Sequence, residues 1–444
     1  MANENTDEGL KRVVGVSGLA LSIVNGVIGS GIFVLPAIVG IAMGAFGVFG
    51  YIACSIMLAA IMLCYAEIGS RVTTSGGSYA YVEAAFGNFP GYIVNWLYFF
   101  GWSILSSAAL MNIIADSLAV IFPVFANSLI RAVFFFILTG FMILLNVRGA
   151  KQGIGLVKMI TVIKLLPLIG IVIFGFSYVK SANLHWEHAP SLKTFGNTVL
   201  ILFFAFAGFE TALGNSGEFK NAKRTVPLSI FLGGIIVLIV YMLLQTVVQG
   251  ILGANMVAFK DAPLAAVADK IIVPVGSTIL LITAAVSCFG NVTADILATP
   301  RSLFAGANDG LFPKFLGKVH PKFSTPYLAV ATYGAVLFIF SISGGFKQLA
   351  ILASAAILLV YLAVILATIK LKAINIEAND KRFKSPGGLI APIIGIAAII
   401  WLLTSLSKWE ILSTIIFIAV VCAIYFAMKW IKRKRKFLVA DDEI

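Results

Sequence analysis

The chemistry this chain can offer starts in Asn25-Gly26-Val27-Ile28-Gly29-Ser30-Gly31-Ile32-Phe33, where three glycines and a serine fall within six residues of an otherwise apolar segment. Glycine costs roughly 1 kcal/mol more than alanine in a helix, so the run can unwind and turn bare amides towards a polar ligand. The alternative is a tight helix crossing through small residues. A second interrupted stretch, Phe203-Phe204-Ala205-Phe206-Ala207-Gly208-Phe209-Glu210, lies five apolar segments later, and the recurrence favours unwinding at both places. Amides at Gly29, Ser30 and Gly31 would stand at the positive end of a half-helix and suit a carboxylate. Carbonyls at Phe204, Ala205 and Ala207, at the negative end of the other, suit an ammonium. Facing one another, the two ends describe a site for an α-amino acid.

Ionisable side chains inside apolar segments cost about 2.5 to 3.5 kcal/mol each to insert, so every one is a candidate. Lys164, in Ile160-Thr161-Val162-Ile163-Lys164-Leu165, lies about two helical turns deep. Glu210 follows the second interruption, where it either takes up a proton or holds the broken helix by hydrogen bonds. Asp295 belongs to the stripe Ser287, Asn291, Asp295 and Thr299, whose i+4 spacing faces the interior or water. Its partner is a cationic substrate side chain, Lys164, or a proton of its own. Asp116, near the end of its segment, is expected to be solvated. Tyr98 and Trp102 are one turn apart and could wall the site, with Phe204 as its lid.

The elements that hold these residues are membrane helices. The chain has 444 residues, 60% hydrophobic and 11% charged, and its mean hydropathy is +1.03, which excludes a soluble globular protein. Spans need about 20 apolar residues, and the sequence predicts an all-α polytopic membrane protein with twelve of them. The whole chain, 1–444, reads as one transmembrane domain: a first repeat over 13–178, a second over 195–371, two further spans within 389–431 and a tail over 432–444. Residues 1–10 lack a cleavable-signal pattern, which predicts that the first span is retained. Residues 73–87 read as a short amphipathic helix lying on the membrane. Of the 32 Lys and Arg, only Arg131, Lys180, Lys193, Lys260, Lys270, Lys347 and Lys408 fall on one predicted side and Lys164 within a span. The positive-inside rule then places both termini in the cytoplasm. This placement, rather than nucleic-acid binding, accounts for the net charge of +13. The 429–436 basic cluster locks orientation and can also attract anionic lipid.

No metal or cofactor is expected. Cys54, Cys64, Cys288 and Cys422 lack ligand spacing, and His185, His188 and His320 fall in predicted loops. Clustered His, Cys or paired acids, which a membrane enzyme would need inside its spans, are missing from the sequence.

Gly29-Ser30-Gly31-Ile32-Phe33, Phe206-Ala207-Gly208-Phe209-Glu210, Asn221-Ala222-Lys223-Arg224-Thr225-Val226-Pro227 and Asp309-Gly310-Leu311-Phe312-Pro313, in that order, resemble the amino acid-polyamine-organocation permeases. The resemblance covers nearly the whole chain and implies a LeuT-type 5+5 inverted repeat with broken spans one and six. It implies that the Ser30 and Gly31 amides take the substrate carboxylate, that carbonyls near Phe204 and Ala207 take its ammonium, and that Phe204 gates. Tyr98, Ser106, Phe204 and Glu210 fall where arginine/agmatine antiporters of this family have functional residues, while Asp295 replaces a substrate-stacking tryptophan. Lys164 resembles the span-five lysine of proton-coupled permeases and neutral exchangers, which stands in for a sodium ion.

The function expected from the sequence is therefore secondary transport of an α-amino acid across the cytoplasmic membrane. The expected substrate contacts are Val27, Ile28, Gly29, Ser30, Gly31, Tyr98, Trp102, Ser106, Phe204, Ala205, Ala207, Gly208, Asn291 and Asp295, with Lys164, Glu210 and Phe204 in coupling and gating. Asp295 puts a basic amino acid or its amine product first. A neutral amino acid carried by proton symport or exchange is the alternative. A channel or nutrient receptor could use the same broken helices. Protons are the candidate coupling ion, and a homodimer is compatible with the sequence.

Overall fold

The computed structural model describes residues 15–29, 31–72, 77–148, 153–186, 188–210, 222–273, 275–308, 312–374 and 383–441. Ser30 and the side chains of 431–436 lie outside the described residues.

The described regular structure is helical throughout. In chain order the helices are α1 (Val16–Val27), α2 (Leu35–Met43), α3 (Gly47–Gly69), α4 (Ser78–Phe86), α5 (Asn88–Trp96), α6 (Leu105–Ile121), α7 (Ser128–Arg148) and α8 (Gly153–Gly175). The second part holds α9 (Leu192–Phe203), α10 (Ala222–Leu252), α11 (Pro263–Ile271), α12 (Gly276–Asn308), α13 (Tyr327–Ser343), α14 (Phe346–Ile374), α15 (Ile390–Thr404) and α16 (Lys408–Asp441). Among the described residues, seven continuous helical stretches are long and apolar enough to cross a membrane, and five shorter apolar helices accompany them.

Side-chain placement suits a bundle surrounded by hydrocarbon. Helix α7 buries Phe135, Thr139, Met142 and Asn146, which recur every three or four residues on one face. Its other faces expose Leu129, Phe136, Ile137, Phe141 and Leu144. Such outward apolar surface is unfavourable in water and neutral in lipid. At the centre α14 is enclosed, with Ala353, Ile357, Val360, Tyr361, Val364 and Ile365 fully buried.

Both expected helix breaks are present. Helix α1 stops at Val27 because Ile28 leaves the helical region (φ −70, ψ 76) and the Gly29 amide turns back onto Val27 O at 2.6 Å. A 3-10 turn over Gly31–Phe33 follows, and α2 restarts with Pro36 in its first turn, where a missing N–H costs nothing. Helix α9 ends at Phe203, and Phe204–Phe206 form turns before Gly208 takes φ +113. A third irregularity was not expected. Between α5 and α6 the helix widens into a π segment over Leu97–Ile104, a form that recurs at functional sites.

The expected surface helix corresponds to α4, and its setting differs. Tyr81 and Val82 are buried, and Ser78 Oγ lies 2.8 Å from Tyr65 Oη. Tyrosines of α3 and α4 pack edge to face, so α4 belongs to the bundle, held by contacts amphipathicity alone could not reveal. Nearby, fully buried Glu67 accepts hydrogen bonds from Arg71 (3.0 Å), Lys372 (3.3 Å) and the Ser385 amide (3.1 Å). A buried charge is tolerable only when paired in this way. Asp116, expected to be solvated, pairs with Arg131 at 2.6 Å.

Candidate substrate site

The two breaks meet. A Cβ added to Gly208 would stand 2.6 Å from Gly26 O, so only glycine permits this approach of one unwound backbone to the other. Tyr241 of α10 places its hydroxyl 2.9 Å from both Val27 O and Ala205 O, one carbonyl from each break. A phenol has a single hydrogen to donate, so the two carbonyls share it.

Next to this junction is a cavity of about 330 Å³, at the small end of ligand pockets. Val27, Gly29 and Gly31 reach it from the first break, and Phe204, Ala205, Ala207, Gly208 and Glu210 from the second. Tyr98, Trp102 and Ser106 line it from the π segment and α6, and Asn291 and Asp295 from α12. Ile28 is buried off the cavity wall. Most of the residues expected to contact substrate line this cavity, Ser106 among them on the resemblance alone.

One side of the cavity is aromatic. Phe204 stands edge-on to Trp102 (centroids 5.7 Å) and to Phe346 of α14 (5.6 Å), and a Cβ on Gly31 would come within 3.3 Å of its ring. A side chain at Gly31 would require Leu35 and the Phe204 ring to give way by a few tenths of an ångström. Phe346 was not foreseen, since nothing in its spacing separates it from the 35 phenylalanines of the chain.

The ionisable residues divide by what they touch. Lys164, 2% exposed, donates from Nζ to Asn25 O at 3.2 Å, just before the first break. Glu210 Oε2 accepts from the Gly208 amide (3.0 Å) and from Tyr361 Oη (2.7 Å), which braces the second break. Asp295 is enclosed by hydroxyls. Ser103, Ser107 and Tyr333 lie 2.6, 2.8 and 2.6 Å from Oδ2, and Thr299 lies 2.6 Å from Oδ1. Ser103 and Ser107 are an i+4 pair, the same signal that revealed the Asp295 stripe, and could have been read from the sequence. Tyr241, Tyr333 and Tyr361 carried no such signal.

A family model for amino acid permeases matches residues 14–431. The chain belongs to the amino acid permease family. Its similarity extends to the serine/threonine exchanger SteT of Bacillus subtilis (strain 168), 27% identical over 96% of this chain and 99% of that one. The branched-chain amino acid permease BcaP of the same organism is 24% identical over 96% and 95%. An uncharacterized transporter of Mycobacterium bovis is 27% identical over 74% and 73%. The protein is thus an amino acid transporter of the amino acid-polyamine-organocation superfamily and a multi-pass membrane protein, not an enzyme.

In such a permease the Tyr241 bridge has a measurable consequence. Tyr241→Phe removes the shared donor and leaves two buried carbonyls short of a partner, at about 1–3 kcal/mol. A lower melting temperature and roughly tenfold slower transport are expected. Wild-type values for both would show that the breaks do not need the bridge.

Proposed function

We propose that this permease carries a neutral α-amino acid across the cytoplasmic membrane by alternating access. Its framework is read as twelve spans in a LeuT-type 5+5 inverted repeat, with both termini in the cytoplasm. The substrate carboxylate goes to the Ser30 and Gly31 amides at the first break, and its ammonium to carbonyls around Phe204 and Ala207 at the second. Trp102 and Phe204 close over the α-carbon. The substrate side chain points towards Tyr98, Asn291 and α12.

The state of Asp295 carries the neutral reading. A basic substrate was expected because an interior carboxylate needs a partner, but four protein hydroxyls already supply partners to its two oxygens. A cationic substrate is therefore not needed to satisfy this carboxylate. The small cavity and the substrates named for the two Bacillus relatives point the same way.

Counterflow in proteoliposomes tests the proposal, because only a carrier accelerates tracer uptake when unlabelled substrate is trapped inside. Serine, threonine, alanine or a branched-chain amino acid should drive counterflow, and lysine, arginine and ornithine should not. Stronger counterflow with the basic amino acids would overturn the neutral reading. Uptake without acceleration would overturn carriage in favour of a channel.

A further inference from the structure

We propose that the cavity selects an amino acid with a hydroxyl on its β-carbon, serine or threonine, and that Asp295 Oδ1 is the acceptor that makes the selection. The proposal rests on the neutral-transport reading above and narrows it from neutral amino acids in general to this one class.

The two oxygens of Asp295 are used unequally. Each offers two acceptor positions. Oδ2 lies within 2.8 Å of the hydroxyls of Ser103, Ser107 and Tyr333, whereas Oδ1 receives one hydrogen bond among the described residues, from Thr299 at 2.6 Å. Asp295 is half-buried and forms part of the cavity wall. With Oδ2 screened by hydroxyls, the acceptor that remains for a ligand is the second position on Oδ1. What fits there is a hydrogen-bond donor. A side chain without one strips water from that position and puts nothing in its place, a cost that falls on the wrong substrate only.

The length of the side chain follows from the spacing along α12. Asn291 lies against the first break, since a Cβ added to Gly29 would stand 3.7 Å from its Nδ2. Asp295 is one helical turn further on, about 6 Å along the axis. A substrate whose carboxylate is held by the amides of the first break has that span to bridge. A hydroxyl on the β-carbon bridges it, with about 3 to 4 Å from the carboxylate carbon to the hydroxyl oxygen and about 2.7 Å for the O–H···O bond. The phenol of tyrosine, the ammonium of lysine and the guanidinium of arginine stand several bonds farther out and overrun the position. Leu110 and Ala294, which also line the cavity, are apolar neighbours for the extra methyl of threonine, so the site does not demand serine alone.

The test uses the full-length protein in proteoliposomes, with each amino acid labelled outside and unlabelled inside. Valine has the shape of threonine and α-aminobutyrate that of serine, each with a methyl in place of the hydroxyl, while O-methylserine keeps the oxygen and loses the hydrogen. Serine and threonine should be carried about 100-fold better, as kcat/KM, than these isosteres. O-methylserine should group with the isosteres, because an acceptor selects for the hydrogen and not for the oxygen. Asp295→Asn, which replaces the carboxylate by a neutral and weaker partner, should shrink the threonine-to-valine ratio at least tenfold. That ratio is read within one preparation and does not depend on how much of the variant folds; if none folds, the wild-type ratio and O-methylserine decide. A merely structural Asp295 would lower both rates and leave the ratio alone. Equal rates for threonine and valine, O-methylserine carried as well as serine, or an unchanged ratio in Asp295→Asn would each overturn the proposal and leave neutral transport standing. Stronger counterflow with lysine or arginine, or none with any amino acid, would overturn the transport reading and this one with it.

Discussion

Gly208→Ala is expected to fold, to reach the membrane and to transport substrate at least tenfold more slowly than the wild type. Two costs coincide at this position. The backbone there has φ +113, a conformation that costs a non-glycine residue about 1–3 kcal/mol. The new methyl would also stand 2.6 Å from Gly26 O, a backbone atom that cannot swing aside like the end of a side chain. Relief requires the breaks to separate, which pulls Ala205 O and Val27 O away from their common donor, Tyr241, and the Gly208 amide from Glu210. Gly234→Ala is the matched control, since a Cβ at that position in α10 meets nothing within 4 Å. Counterflow with monodisperse protein should fall at least tenfold in the first variant and be kept in the second. Equal rates in the two would mean that close contact between the breaks is not needed for transport.

Lys164→Met should be nearly as damaging for an electrostatic reason. Methionine matches the length of the lysine stem but removes the charged donor that reaches Asn25 O from a buried position. Hydrogen bonds to charged groups contribute about 1.5–3 kcal/mol, so a loss of about 10- to 100-fold in transport is expected if the first break must be held for substrate to bind. If the ammonium at Asn25 O takes the place of a sodium ion, as the resemblance to proton-coupled permeases and neutral exchangers implies, wild-type transport should not respond to sodium. Full activity in Lys164→Met, or strong sodium stimulation of the wild type, would falsify this role.

The breaks could be read from the chain because glycine marks them chemically. Clusters at Gly26, Gly29 and Gly31 and at Gly208 are costly in a helix, and their recurrence five segments apart was visible without any structure. The Asp295 stripe was equally visible, since polar side chains at i+4 spacing stand out from apolar surroundings. Residues that act across the fold were not. Tyr241, Tyr333 and Tyr361 look like ordinary aromatic packing in a line of sequence, and only the contacts show each hydroxyl meeting a carbonyl or carboxylate. Asp295 illustrates the limit in reverse: its presence was evident, but the hydroxyls that satisfy it come from the π segment, α6, α12 and α13, so the inference to a cationic substrate lacked the fact that weakens it. The amphipathic pattern of 73–87 predicts a surface element, and the tyrosine packing that draws α4 inward is a property of the assembled bundle.

The π segment between α5 and α6 has a consequence for how the permease can diverge. In an α-helix each residue turns the side chain by about 100°, so inserting or deleting one residue swings everything beyond it onto another face. A π turn, closed by i→i+5 bonds, absorbs such an insertion locally. Here the widened turn holds Tyr98, Trp102 and Ser103, so one span presents two aromatic side chains to the cavity and, with Ser107 one turn on, two hydroxyls to Asp295. The aromatic wall and two of the four hydroxyls around Asp295 thus belong to one span. Selection can therefore gain or lose a residue within this turn while the α-helical residues on either side of it keep the faces they present to their neighbours.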